Sequence, residues 1–134
     1  MTDRDDDTWA RLIERGKVRA AELVEMAGGL LSAREVSAHT GIPPEEIETR
    51  VAAGELIAMR ENGTLLFPAC QFTSTGVVEN LSIVLKDDRT QSPWVRLEWF
   101  LVPDDALLGL SPLEALKQGQ VEEVARLARA NGAD

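Results

Sequence analysis

Apolar positions along the chain switch between helical and alternating spacing, and each switch marks a new element. From Trp9 to Ala27 the apolar or small residues fall at Trp9, Ile13, Gly16, Ala20, Leu23 and Ala27, in steps of four and three. That spacing is the seam of an amphipathic helix. Leu12 and Val24 widen the seam toward a globular face, and Gly28-Gly29 ends it. The spacing predicts a helix packed on the module that follows. Its apolar stripe also predicts a homodimer, since symmetric dimers are the commonest soluble oligomers.

Between Leu31 and Phe72 the pattern becomes compact and heavily punctuated. Ser32 followed by Glu35 is a capping box, so a helix starts there and turns Val36 and Ala38 inward. Thr40-Gly41-Ile42 stops it, because glycine tolerates the left-handed backbone of a tight turn. Pro44 opens a second helix in whose first turn proline loses no needed hydrogen bond. There Ile47 and Val51 share one face, while Glu45, Thr49, Ala52 and Ala53 share the other. After Gly54 the period drops to two. Ile57 to Arg60 and Thr64 to Phe67 flank Asn62-Gly63, the strongest short-range hairpin signal. Helix, turn, helix and hairpin together predict a winged helix-turn-helix.

The rest of the chain reads as short capped helices. Val77 to Lys86 carries Val77, Leu81, Val84 and Leu85 on one side, and Asp87, Asp88 and Gln91 read as a polar connector. Ser92-Pro93 starts a helix that stops before Pro103. Ser111-Pro112-x-Glu114 is a second capping box, and Gly119 ends the helix it opens. Val121, Val124, Ala125 and Ala128 form the inner face of a last helix running to about Gly132. The expected fold is therefore mainly α. An acidic tail and N-terminal helix (1–28) precede a winged helix-turn-helix (29–76) and a C-terminal bundle of short helices (77–134).

Composition narrows the chemistry. The 134 residues carry a net charge of −9, and one cysteine, Cys70, rules out an intramolecular disulfide or a multi-cysteine metal site. No apolar run is long enough to cross a membrane, and the opening MTDRDDDT is unlike a signal peptide, so the expected location is the cytoplasm. Cys70 has no neighbouring His or Lys in sequence to activate it. The single histidine, His39, has Glu35 one turn earlier but no candidate nucleophile beside it. With no phosphate loop or metal-ligand spacing, the chain reads as a binding protein without catalytic residues, metal or cofactor. Arg34, Thr49, Arg50 and Arg60 are the candidate DNA contacts. The same stretch also holds Glu35, Glu45, Glu46, Glu48, Glu55 and Glu61 against three arginines, a balance of −3. Nucleic-acid affinity rests on cationic contacts, so the lone chain is expected to bind operator DNA weakly.

Several blocks carry a family likeness. Leu56-Ile57-Ala58-Met59-Arg60 through Asn62-Gly63 to Phe67-Pro68-Ala69-Cys70-Gln71-Phe72 resembles the wing of Xre/MbcA/ParS-like antitoxins, with Cys70 where a large aromatic is usual. Pro93-Trp94, Trp99-Phe100-Leu101, and Leu107 to Leu116 followed by Gly119 resemble that family's toxin-binding domain. The likeness spans about Gly29 to Ala130. It implies the antitoxin of a bacterial type II toxin–antitoxin pair, whose partner is an NAD-degrading Arg-Glu-Ser-type toxin. The antitoxin would cover the toxin's active site and repress its own operon. On that reading Trp94, Trp99, Leu108, Leu113, Arg126 and Arg129 are toxin-interface candidates, the last two as guanidinium groups able to pair with a carboxylate. The acidic second helix departs from the DNA-binding side of the pattern. Two other functions fit the same residues: a DNA-binding transcriptional regulator whose C-terminal bundle only dimerises, and a protein-binding adaptor.

Overall fold

The computed structural model describes residues 3–131 apart from 89 and 91, with side chains from Ala10 onward. The Trp9 side chain, Gln91 and Gly132 lie outside the described residues. Helix α1 runs from Asp3 to Met26, further toward the N-terminus than the apolar seam predicts. At the other end Gly28 and Gly29 take positive φ, and Gly29 N–H returns to the Val24 carbonyl.

The helix-turn-helix forms as its local signals dictate. Strand β1 (Leu30–Ser32) leads into α2 (Ala33–Thr40), and both hydrogen bonds of the Ser32–Glu35 capping box are made. Gly41 ends α2 at φ 80°, and α3 (Pro44–Ala52) follows with proline in its first turn. Strands β2 (Met59–Glu61) and β3 (Thr64–Pro68) are joined by Asn62 and Gly63, both at positive φ, as a tight type I′ hairpin requires. Strand β1 also joins β3, giving an antiparallel sheet in the order β1-β3-β2. Val36, Ile47, Leu56 and Phe67 fill the small core between helices and sheet. Ala38, expected inward, is exposed. One buried position on a helix this short suffices.

After a 3-10 turn (Ala69–Gln71) a second hairpin appears, β4 (Phe72–Thr73) with β5 (Gly76–Val77). Val77 therefore lies in a strand, not in the helix expected from Val77 to Lys86. Helix α4 (Leu81–Asp87) begins only after Asn80, which adopts a left-handed conformation. Helices α5 (Pro93–Leu101), α6 (Pro112–Lys117) and α7 (Val121–Ala130) complete the fold, with Ser92 and Ser111 as side-chain caps. The larger core joins Leu81, Val84, Leu97, Phe100, Leu113 and Val124, and it also takes in Leu23 of α1, Ala27 just after that helix, Ile57, and Met59 of β2. The architecture is thus mainly helical, with a small antiparallel sheet between an N-terminal helix and a C-terminal helix group. No described helix is long and apolar enough to cross a membrane.

Candidate nucleic-acid interface

The outward face of α3 is exposed to solvent. Ile47 is fully buried and Val51 half-buried, which turns Glu45, Thr49, Ala52 and Ala53 to solvent. Two of these four are alanines, so a groove edge could approach the helix closely. Thr49 donates its hydroxyl back to the Glu45 carbonyl at 3.1 Å. Arg50 reaches Glu46 at 3.3 Å along the same helix. Arg34 is exposed in the first turn of α2, and Arg60 is exposed on β2, where it donates to the Gly63 carbonyl at 3.2 Å. The four DNA-contact candidates therefore sit on three elements: Arg34 on the first helix, Thr49 and Arg50 on the second, Arg60 on the wing.

Electrostatics are milder than the residue count suggests. Glu35 caps Ser32, Glu46 faces Arg50, and Glu55 faces Lys86 of α4 at 3.6 Å. Three of the six acids are thus engaged by a donor or cation inside the molecule. The engaged lysine comes from outside the stretch, which is why counting charges along it misleads.

Gln71 ties this module together and was not visible in the sequence pattern. Its buried side-chain amide accepts from Ile57 N–H and donates to the Ile57 carbonyl, both at 2.8 Å, and donates to the Pro68 carbonyl at 3.2 Å. A lone glutamine has no periodicity that would announce such a role. His39 Nε2 contacts the Thr73 carbonyl, and its ring meets Phe72 edge-on, so it joins α2 to β4. Cys70 is half-buried, and burial pushes its thiol up to about 11, which leaves it protonated at neutral pH. No cluster of three or more metal-ligating side chains occurs among the described residues.

The six toxin-interface candidates do not share a surface. Leu113 is buried at 5% exposure and belongs to the core, which corrects its expected place at an interface. Trp94 and Trp99 are half-buried on α5, and Trp99 packs edge-on against Phe100 at 4.9 Å. Trp94 lines a groove with α1, whereas Trp99 lines a cleft beside Val102 and Asn131. Arg126 and Arg129 are both engaged within the chain: Arg126 pairs with Glu123, and Arg129 with Asp87 at 3.1 Å. Only Leu108, at 96% exposure and φ 57°, stands out fully from the surface.

The polar connector holds a buried cluster instead. Asp88 accepts from Arg96 Nε at 3.0 Å, from Asn131 Nδ2 at 3.0 Å and from Thr90 N–H at 2.9 Å. It thereby ties the end of α4 to α5 and to the end of α7.

Comparison with known proteins bears on both halves. Residues 78–132 match the family model described as the Rv2175c C-terminal domain of unknown function. The NMR structure of Rv2175c is similar, with 26% identity and a TM-score of 0.61, covering 75% of this chain and 79% of that one. No curated protein matches the sequence.

Proposed function

We propose that the chain is a non-enzymatic DNA-binding protein that lays α3 in the major groove and uses Arg34 and the Arg60 wing on the flanking phosphates. The observation that carries this reading is the assembly itself: a capped helix, a glycine turn, and a second helix with a small polar outer face beside a type I′ wing. In such proteins the first turns of the second helix meet base edges. Thr49, whose hydroxyl proton is given to the Glu45 carbonyl, can accept there, and Glu45 can accept from a cytosine amino group. Lys86 beside Glu55 supports the reading, because it adds one cation from outside the stretch and moves its balance from −3 to −2. The negative balance that is left keeps the lone chain weak, with Kd on the order of micromolar as for non-specific contacts.

Anisotropy titration of labelled DNA from upstream of its own gene, against scrambled DNA, tests this. Arg34→Ala and Arg60→Ala are each expected to weaken binding and to flatten its salt dependence by about one unit of slope. Equal binding of all variants, or none by wild type at low salt, would remove the proposal.

A second reading, the antitoxin, is favoured by Leu108. A leucine exposed on the loop before the Ser111 capping box, within the block that resembles a toxin-binding domain, is a ready anchor for a partner protein. Co-purification with the product of the neighbouring gene, with cellular NAD as the readout, tests it. Loss of the complex on Leu108→Asp is the expected outcome.

A further inference from the structure

Helix α5 buries one face and leaves the other open. Leu97 and Phe100 lie in the larger core, whereas Val95 is 49% exposed and Val102, at the helix C-cap, 37%. At helical spacing Val95, Glu98, Trp99 and Val102 fall within about 100° of one another, on one outer stripe. A groove of about 480 Å³ runs between the start of this stripe and Ile13, Gly16 and Lys17 of α1. A second, of about 280 Å³, is lined by Trp99, Val102 and Asp104 toward the end of the stripe. Val95 and Glu98 line both, so the two make one continuous surface.

The ends of that surface carry opposite charge. Arg19 and Glu98, 2.7 Å apart, neutralise each other near its middle. On the α1 side, residues 10–18 hold Arg11, Arg15 and Lys17 against Glu14, a balance of +2. On the far side, residues 99–111 hold Asp104 and Asp105 and no base, a balance of −2. Neither Lys17 nor Asp104 makes an ion pair among the described residues. A surface that is cationic at one end, apolar along its stripe and acidic at the other is complementary to itself turned by half a revolution.

We propose that a second copy of this chain covers it, the two α5 helices packing antiparallel about a two-fold axis midway between residues 98 and 99. Val95 and Val102 are equally far from that axis, so Val95 of each copy faces Val102 of the other. The Lys17 end of each surface then lies over the Asp104 end of its partner. Arg19 offsets the charge of the two Glu98 carboxylates that the axis draws together. The pairing is isologous, so both halves close at once. It uses no residue of α3 and stands whether or not DNA is bound.

Sedimentation equilibrium of the full chain tests the assembly. Wild type is expected at twice the 14.7 kDa chain mass, shifting toward monomer as salt rises. Val95→Asp should give the monomer mass with an unchanged helical circular dichroism spectrum, since this side chain already stands half in solvent. Cross-linking reads the register. Positions 95 and 102 of one helix are about 10 Å apart, too far for a disulfide within one chain. On mild oxidation, Val95→Cys with Val102→Cys should therefore give covalent dimers, and so should an equimolar mixture of the two single variants. Each single variant alone should not, because the axis sets like positions equally far apart. Cys70 is common to every sample and cancels from the comparison. A wild type that stays monomeric at high concentration would overturn the proposal, as would a dimer in which 95 and 102 fail to cross-link.

Discussion

The helix-turn-helix and the C-terminal helix group use their conspicuous residues in opposite ways. In the C-terminal group nearly everything that catches the eye is spent on the fold. Ser111 and Glu114 close a capping box, Leu113 and Phe100 are core, Arg96 is bound to Asp88, and Arg129 to Asp87. The hydrogen bonds from Ser111, backbone first, also hold the Glu114 carboxyl below its usual range, as expected of a cap. In the helix-turn-helix the core needs only Val36, Ile47, Leu56 and Phe67, and the outer face of α3 packs against nothing described. A motif that is specific in sequence can therefore mark construction. A surface that construction leaves uncommitted is the better pointer to function.

The largest expected effect tests the structural side of that contrast. Asp88→Ala removes one partner of a buried pair and strands the Arg96 guanidinium, at a cost of about 3–5 kcal/mol. Glu46→Ala breaks an equally visible pair on α3 but an exposed one, worth ~0–1 kcal/mol. Urea unfolding of the two variants measures the gap. Similar losses from both would erase the distinction between the regions.

Next in size is Gln71→Leu, which preserves bulk but leaves the Ile57 N–H and carbonyl without their partners. Each buried group so stranded costs about 1–3 kcal/mol. Hydrogen exchange at the Ile57 amide should accelerate well before global unfolding. An unchanged exchange rate would show that the glutamine does not hold the wing to the body.

These two residues also mark where the sequence stops being readable. Features written in contiguous residues were legible: the Ser32 and Ser111 boxes, the Gly41 turn, Pro44 and Pro93 in first turns, and the Asn62-Gly63 hairpin. Features made by distant partners were not. Strand β1 is three residues long, shares Ser32 with the cap of α2 and exists only by pairing with β3. Val77 has a helical neighbour pattern but is captured by Phe72 across β4 and β5. Asp88 looks like linker until Asn131, 43 residues on, closes over it. On the outer face of α3, Glu45, Thr49, Ala52 and Ala53 were legible as a set from helical spacing alone. Compensation of Glu55 was not, because Lys86 lies on another element.

The smallest stability effect is the one that best separates the two functional readings. Arg126 and Arg129 are exposed on α7, with side chains at 67% and 55%, and both already hold an acid of this chain. Exposed pairs of this kind contribute ~0–1 kcal/mol, so Arg126→Glu with Arg129→Glu should leave the unfolding midpoint nearly unchanged. If these guanidinium groups serve a toxin's active site, the double variant fails to protect cells expressing the neighbouring gene, and NAD falls. A group that must leave Asp87 or Glu123 to reach a partner surrenders that contact on binding, which disfavours the role but does not forbid it. On the DNA-binding reading the double variant protects or not exactly as wild type does, and its DNA titration matches wild type. Lost protection with intact folding would move function to α7, the face where the fold has already engaged both candidate side chains, and would reverse the contrast between the two regions.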